Sequence, residues 1–175
     1  MQTERLLLRR FGPGDLEALV ELDSDPVVMF HITGGRATPR EEIEQVVLPA
    51  FIAGGYWAAE EQATGDFVGW FHLRPSDGHP SEEPELGYRL RREYWGRGYA
   101  TEGCRALTDH AFTRGAERVR AETMVAHAAS RRVMEKAGLR EVRRFRADWP
   151  DRIPGDECGD VEYAITREEW IRSGR

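Results

Sequence analysis

The stretch YWGRGYATEG, residues 94–103, places a glycine on either side of one arginine, directly before a helical pattern. The backbone N–H groups in the first turn of a helix have no partner inside that helix, and its dipole adds about half a positive charge there. Glycines let the backbone approach a ligand closely because they carry no Cβ, and Arg97 adds a cation. Gly96, Arg97 and Gly98 therefore predict a phosphate-binding turn, with a purely structural tight turn as the alternative.

Two familiar phosphate loops do not match this stretch. A P-loop needs Gly-Lys followed by Ser or Thr, and no such sequence comes after the glycines. A dinucleotide fingerprint needs a third glycine where this chain has Thr101, and it favours an early place in a repeating strand–helix chain. This turn instead lies mid-chain, after three runs that predict an antiparallel meander.

The spacing of apolar residues predicts an α/β fold around the turn. Alternation predicts strands at RLLLRRF, GYWAAEEQ, DFVGWFHLRP, PELGYRL, RVRAETMV, LREVRRFRADW and DVEYAIT. Helical spacing predicts helices in GPGDLEALVELDSD, TPREEIEQVVLPAF, ATEGCRALTDHAF and SRRVMEKAG. Thr38 and Ser130 are the predicted N-caps, and a helix stop is expected near Pro49. The order predicts one domain over residues 1–175, with a mixed central sheet of about six to seven strands and helices on both faces.

The composition predicts a cytoplasmic protein with neither a metal site nor a membrane segment. The mean hydropathy is −0.61 and 32% of the residues are charged. No apolar run approaches the ~20 residues that span a bilayer. The N-terminal MQTERLLLRR has no apolar run long enough for a signal peptide. Two cysteines and five scattered histidines show no metal-ligand spacing.

Charge is unevenly distributed along the chain. Ten basic and four acidic residues lie between Arg114 and Arg146, a local charge of +6 within a total of −6. A basic segment in an acidic protein indicates an anionic ligand on one side and a cationic partner on the other. A nucleic-acid-binding domain is the alternative. The pI of 5.5 and the lack of a basic strand studded with aromatic residues argue against it, so no nucleic acid is expected.

The opening stretch resembles the pyrophosphate-binding loop of the GNAT superfamily of N-acetyltransferases, whose pattern is Q/R-x-x-G-x-G/A. Placed on Trp95 to Ala100, the pattern matches at Gly98 and Ala100 and departs at Trp95. The form Trp-Gly-x-Gly-Tyr-Ala-Thr-Glu is common in the RimJ/RimL-like branch, which acetylates protein N-terminal amines and related substrates. TERLLLRRFGPGDLEALVELDSDPVVM resembles the opening of that branch. AHAASRRVMEKAGL resembles its second acetyl-CoA motif, usually N-x-x-S followed by E-K-x-G-F, so the resemblance covers nearly the whole chain.

The resemblance implies acetyl-CoA as cosubstrate and direct attack of an amine on its thioester, without an acyl-enzyme. It implies that acetyl-CoA, the acetyl donor, is contacted by Leu90, Trp95, Gly96, Arg97, Gly98, Tyr99, Ala100, Thr101, His127, Ser130 and Arg131. Leu90 marks the strand end where the family places the backbone N–H that stabilises the oxyanion. Arg132 and Lys136 are, with Arg131, further candidates for the CoA phosphates, and a solvated helix face is the alternative.

The resemblance also suggests which groups move protons. Many members of the superfamily have a tyrosine that protonates the departing thiolate, and this chain has Met134 there. The RimL-like branch has a serine at the position of Ser130, which we therefore expect to contact the thiol. Glu85 is the predicted general base, with a solvated carboxylate as the alternative. The rivals for that role are Asp148, Glu162 and His127, the last standing where the branch usually has Asn.

The acceptor is expected to be an amine, either a protein N-terminus or a small molecule such as a polyamine or an antibiotic. An α-amine, with a pKa near ~8, loses its proton more readily than a lysine-type amine near ~10.4. Phe30, His31 and Trp57 are the predicted acceptor contacts, with burial in the core as the alternative for Phe30 and Trp57. The chain is expected to be a monomer or homodimer. The alternative for the whole chain is an inactive acyl-CoA-binding domain of the same fold.

Overall fold

The computed structural model describes residues 1–76, 78–147 and 152–174. Its strands are β1 Leu6–Arg9, β2 Tyr56–Glu61, β3 Phe67–Arg74, β4 Glu85–Leu90, β5 Arg118–Met124, β6 Arg140–Phe145 and β7 Asp160–Thr166. They form one sheet in the order β1-β2-β3-β4-β5-β7-β6. β4 and β5 run parallel, whereas the β1–β2, β2–β3, β5–β7 and β6–β7 pairs are antiparallel. The predicted α/β class with a mixed sheet is confirmed.

The helices account for the segments between these strands. They are α1 Leu16–Ser24, α2 Phe30–Thr33, α3 Arg40–Glu42, α4 Leu48–Ala53, α5 Tyr99–Thr113, α6 Ala128–Ala137 and α7 Arg167–Arg172. Two of these helices, α2 and α7, were not predicted from the sequence. A signal for α7 is present, because Thr166 and Glu169 form a reciprocal capping box at its start. Within the described ranges, no helix combines the length and apolar character that crossing a membrane requires.

The helix around Pro49 continues through the proline, so the predicted stop is wrong. A π segment at Ile43–Val47 joins α3 to α4, and the N–H of Leu48 donates to the C=O of Ile43, five residues back. Pro49, which has no N–H to donate, is the second residue of α4, directly after the π segment, where a local change in the bonding pattern lets a helix pass a missing donor. The helix can therefore run on to Ala53.

The two predicted N-caps are also wrong. Pro39 occupies the cap position before α3, and the Thr38 hydroxyl instead donates to Asp23 Oδ2 at 2.9 Å. His127 is the cap residue of α6, and Ser130 is the third residue inside that helix. In both cases the helix begins at a different residue from the one that its apolar pattern suggests, because a cap is set by backbone geometry at the boundary.

Two compact units make up the described residues. The first contains Met1–His72, Tyr88–Tyr99 and residues 152–154, and the second contains residues 73–87, those after Tyr99 up to 147, and those from Gly155 onwards. The first unit has an apolar core of Phe11, Leu19, Leu22, Val28, Ile43, Leu48, Phe51, Ala58 and Trp70. Buried apolar residues of the second include Cys104, Leu107, Phe112, Val119, Ala121, Met134, Val161 and Ile165. A single domain over residues 1–175 stays a prediction.

Candidate active site

The turn between β4 and α5 has glycines at both positions that need a left-handed backbone. Gly96 has a φ of +72° and Gly98 a φ of +87°. Residues Tyr99, Ala100 and Thr101 form the first turn of the 15-residue helix α5. In the part of the chain that the structure describes, no hydrogen bond is donated by the backbone N–H groups of residues 96–98. Three consecutive amides are thus open at the positive end of a helix dipole.

The side chain of Arg97 is paired within the first unit. Its Nη2 lies 3.0 Å from Glu61 Oε1 of β2 and 3.3 Å from the Tyr99 hydroxyl. The guanidinium also lies over the Tyr94 and Tyr99 rings, at 5.3 and 5.0 Å from their centroids. The Tyr99 hydroxyl donates to Glu61, which lowers the pKa of Glu61 and raises the pKa of Tyr99. The guanidinium of Arg97, which was predicted to bind phosphate, is therefore already paired with the carboxylate of Glu61.

Trp95 covers the end of β4. Its indole Nε1 donates to the C=O of Leu90 at 2.9 Å, while 45% of the residue stays exposed. Leu90 is buried, and a Cβ on Gly69 of β3 would lie 2.7 Å from the Leu90 Cα. Because only glycine permits so close an approach, β3 fixes the backbone at this strand end. The oxyanion contact from the Leu90 region stays a prediction.

The second predicted motif, AHAASRRVMEKAGL, contains the whole of α6 and two residues on either side of it. His127 stands before the helix, with its Nδ1 3.4 Å from the Thr123 hydroxyl. Ser130 is 7% exposed, and Met134, one turn further on, is also buried. The serine hydroxyl is therefore a nearly enclosed polar group at the positive end of a ten-residue helix.

Arg131 is directed at neighbours in the second unit. Its Nε donates to the Tyr163 hydroxyl at 3.1 Å, and its Nη2 lies 3.3 Å from Glu141. A phosphate contact from Arg131 stays a prediction, and it would compete with these bonds. Arg132 and Lys136 lie exposed on α6.

The predicted base, Glu85, lies at the start of β4. Its carboxylate is 3.5 Å from Arg74 Nη2, and its Cα is opposite Arg120 of β5. Glu122, which was not a predicted site residue, lies two residues beyond Arg120 on β5. Partial burial raises the pKa of Glu122. Arg120, whose Nη2 donates to Glu122 at 2.7 Å, lowers this pKa, whereas the nearby carboxylates of Glu85 and Glu162 raise it, so that the pKa is raised on balance. The charge of Glu85 thus makes Glu122 a better proton acceptor.

Glu162 is built into an ion cluster. It is 2% exposed and accepts from Arg118 Nη2 at 2.8 Å, Arg120 Nε at 3.2 Å and Arg143 Nε at 2.7 Å. Burial raises the pKa of Glu162, but the bonds from Arg120 and Arg143 outweigh burial, so the pKa is lowered. A buried carboxylate held by three guanidinium groups is a poor proton acceptor, which argues against Glu162 as the base. The other rival, Asp148, lies outside the described residues.

The predicted acceptor contacts differ in exposure. Phe30 is exposed and meets His31 edge-on at 5.0 Å, and burial lowers the pKa of His31. Trp57 is buried, with the Arg10 guanidinium 5.0 Å from its ring centroid. Burial of Trp57 favours the core alternative for that residue. Within residues 1–76, 78–147 and 152–174, no group of three or more His, Cys, Asp and Glu side chains is arranged to hold a metal ion.

A sequence model described as "Acetyltransferase (GNAT) domain" matches residues 5–140. The chain belongs to this GNAT acetyltransferase family. The predicted membership of the GNAT superfamily is thereby confirmed.

Individual relatives agree with this assignment. FsC-acetyl coenzyme A-N(2)-transacetylase of Aspergillus fumigatus is 37% identical, over 98% of this chain and 78% of that protein. The crystal structure of an acetyltransferase (GNAT family) from Bacillus anthracis has a TM-score of 0.82 at 27% identity, covering 96% of this chain and 98% of that one. RimL, the ribosomal L7/L12 alpha-N-protein acetyltransferase in complex with coenzyme A, has a TM-score of 0.77 at 19% identity, over 94% and 95% of the two chains. The RimL likeness shows the fold alone, so membership of the RimJ/RimL-like branch stays a prediction.

Proposed function

We propose that this chain transfers an acetyl group from acetyl-CoA to a primary amine by direct attack in a ternary complex. The observation that carries the proposal is the row of open amides at residues 96–98, at the start of α5. Such a row suits the pyrophosphate of CoA, because the amides and the helix dipole both favour negative charge. The name of the 37% identical relative, an acetyl coenzyme A-dependent N(2)-transacetylase, supports both the donor and a nitrogen acceptor.

The proposed reaction needs three proton movements. The neutral amine nitrogen bonds to the thioester carbon and then loses a proton, the C–S bond breaks, and the sulfur leaves as a thiolate that takes up a proton. The proton that the nitrogen loses after attack replaces the one given to the thiolate. A backbone N–H near Leu90 is proposed to stabilise the oxyanion, because the strand end there is held in place by Gly69. Ser130 is proposed to protonate the thiolate. The ammonium form of the acceptor must first lose a proton, and the carboxylates of Glu85 and Glu122 are the candidates to accept it.

The proposed acceptor class is an amine of low pKa, of which an α-amine is the type. Such amines are partly neutral near pH 8, so little free energy is needed to deprotonate them. The N(2) specificity in the name of the fungal relative is compatible with this class. The assay of acceptors should therefore include a protein N-terminus, a small α-amine and an antibiotic amine.

A thiol-release assay tests the function directly. Purified protein, acetyl-CoA and one amine at a time are mixed, and free CoA thiol and acetylated product are measured together. The panel contains N-terminal peptides, the compound FsC that appears in the name of the fungal relative, spermine and an aminoglycoside, with acceptor-free and protein-free controls. We expect turnover with at least one α-amine. Binding of acetyl-CoA without thiol release across the whole panel would instead support the inactive acyl-CoA-binding alternative. Propionyl-CoA and longer donors, run in parallel, determine which acyl group is preferred.

Ser130→Ala is expected to lower kcat about tenfold and to leave the KM for acetyl-CoA nearly unchanged. The reason is that the thiolate forms only as the C–S bond breaks, so the lost bond to a charged group of about 1.5 kcal/mol acts mainly in the transition state. Ser24→Ala is the matched control, since Ser24 also lies in a helix, where its hydroxyl bonds the C=O of Val20. An unchanged kcat for Ser130→Ala would reduce Ser130 to a buried structural serine.

Glu85→Gln and Glu122→Gln together identify the base. A base must be deprotonated, so activity rises with pH through its pKa. If Glu85 is the base, Glu85→Gln loses that rise. If Glu122 is the base, the Glu85→Gln variant still shows the rise of activity with pH. The rise then occurs at lower pH, because the Glu85 charge raises the pKa of Glu122. Glu122→Gln then loses the rise. Wild-type pH–rate profiles for both variants would exclude both carboxylates.

A further inference from the structure

Arg5, which precedes β1, makes several contacts with the glycine turn and the residue after it. Its Nη1 donates to the C=O of Arg97 at 2.8 Å, and its guanidinium carbon lies 4.4 Å from the centroid of the Tyr99 ring. Its Nη2 lies 3.3 Å from the point that a Cβ on Gly98 would occupy. One guanidinium, 92 residues earlier in the chain, therefore meets three successive residues of the turn.

The bond to Arg97 determines where the next amide points. The C=O of Arg97 and the N–H of Gly98 belong to one trans peptide group, in which they point in opposite directions. Since Arg5 holds the C=O, the Gly98 N–H is directed away from Arg5. Gly98, on one side of this peptide group, adopts positive and negative φ with similar energies, so the backbone constrains the peptide less than it would between two residues with side chains.

Arg5 is itself held in place at both ends. Its backbone C=O accepts from the N–H of Gln62 at 2.8 Å, which ties it to the chain just after β2. Its guanidinium packs on the Tyr99 ring, whose hydroxyl donates to Glu61 at the end of β2. These contacts all lie within the first compact unit. A fixed guanidinium can favour one orientation of a peptide group that a neighbouring glycine leaves loosely constrained.

We propose that Arg5 is a positioning residue that orients the Arg97–Gly98 peptide so that the Gly98 N–H faces the pyrophosphate of acetyl-CoA. This inference rests on the proposed function, because it assigns the open amides to that donor. Arg5 does not contact the acetyl group in this proposal. Its effect is therefore confined to donors that carry a pyrophosphate, and it acts on donor binding and not on the chemical step.

The experiment compares two donors that share a thioester. Acetyl-CoA carries the pyrophosphate, and S-acetylpantetheine does not. Arg5→Gln removes the charged donor, and we expect the KM for acetyl-CoA to rise about tenfold with kcat unchanged. The kcat/KM for S-acetylpantetheine is expected to stay at the wild-type value. Arg5→Lys keeps a charged N–H donor without the planar fork, so an intermediate KM for acetyl-CoA is expected.

Arg9→Gln is the matched control. Arg9 is the last residue of β1, and it pairs with Asp15 and Glu60 away from the turn. A merely structural role for Arg5 would give equal losses with both donors in Arg5→Gln, and that result would overturn the proposal, as would an unchanged KM for acetyl-CoA. If Arg5→Gln does not fold, the KM values of Arg5→Lys decide in the same way. A wild-type protein that uses both donors equally well would contradict the pyrophosphate site itself, and so the proposed function.

Discussion

Gly98→Asp is expected to weaken the binding of CoA more than about 100-fold, measured by calorimetry with the free thiol form. A side chain at this position must adopt a φ of +87°, a strain of about 1–3 kcal/mol. Its Cβ would lie 3.3 Å from Arg5 Nη2, so the new carboxylate would attract Arg5 away from the C=O of Arg97. It would also place a negative charge beside amides that are proposed to receive a pyrophosphate. The strain counts against binding because the free turn is expected to relax into another conformation, and this relaxation, the displaced Arg5 and the repelled pyrophosphate together are expected to reach the ~2.8 kcal/mol that a 100-fold change requires.

Two further variants separate charge from strain. Gly98→Asn has the same shape without the charge and tolerates a left-handed backbone, so a loss of about tenfold or less is expected. Gly115→Asp has a comparable φ of +97° beyond the other end of α5, with open space around its Cβ. It is expected to cost stability but to leave CoA affinity unchanged. Equal affinities for wild type and Gly98→Asp would refute the assignment of the turn to the donor.

Glu162→Gln is expected to lower the free energy of unfolding by about 3–5 kcal/mol in urea denaturation at pH 7. The variant removes the negative charge that three arginines share, and Arg120, which is 1% exposed, keeps only its ion pair with Glu122 and cannot replace the lost interaction with water. Glu168→Gln is the matched control, because Glu168 forms an exposed ion pair with Arg172 at i,i+4. Exposed pairs contribute little, so this control should keep nearly wild-type stability.

The cost of Glu162→Gln is expected to depend on pH. Because the pKa of Glu162 is lowered in the folded protein, its stabilising effect is present above the ordinary carboxyl pKa of about 4.3 and is lost as the pH falls through the lowered value. Wild type and variant should therefore converge in stability in acid. A difference that stays constant from neutral pH into acid would contradict the charge-based explanation and favour a packing defect.

Local sequence signals predicted most of the fold. The alternation in RVRAETMV correctly placed Val119 and Ala121 in the core, because a strand sends alternate residues to one face. The same alternation gave no warning that Arg120, on the other face, is also buried. Its burial depends on Glu162, 42 residues later, and the sequence pattern of one strand carries no information about that partner.

The candidate site shows the same limit. The glycines of residues 94–103 revealed the turn, because their conformational freedom is a property of the residues themselves. The pairing of Arg97 with Glu61 and the contact of Arg5 with the turn depend on strands that are distant in sequence, so only the folded chain displays them. The raised pKa of Glu122 likewise arises from burial and from neighbours on other strands.

The π segment at Ile43–Val47 bears on how this helix tolerates changes in length during evolution. A turn closed by a bond five residues back holds one residue more than an α turn, so it accommodates a single inserted residue. Deleting one residue there would restore an α turn and rotate α4 about the helix axis by about 100°. Phe51, which stacks on Tyr56 at 3.9 Å within the apolar core, would then leave its place. An insertion or deletion within these five positions would therefore change which side of α4 packs into the apolar core.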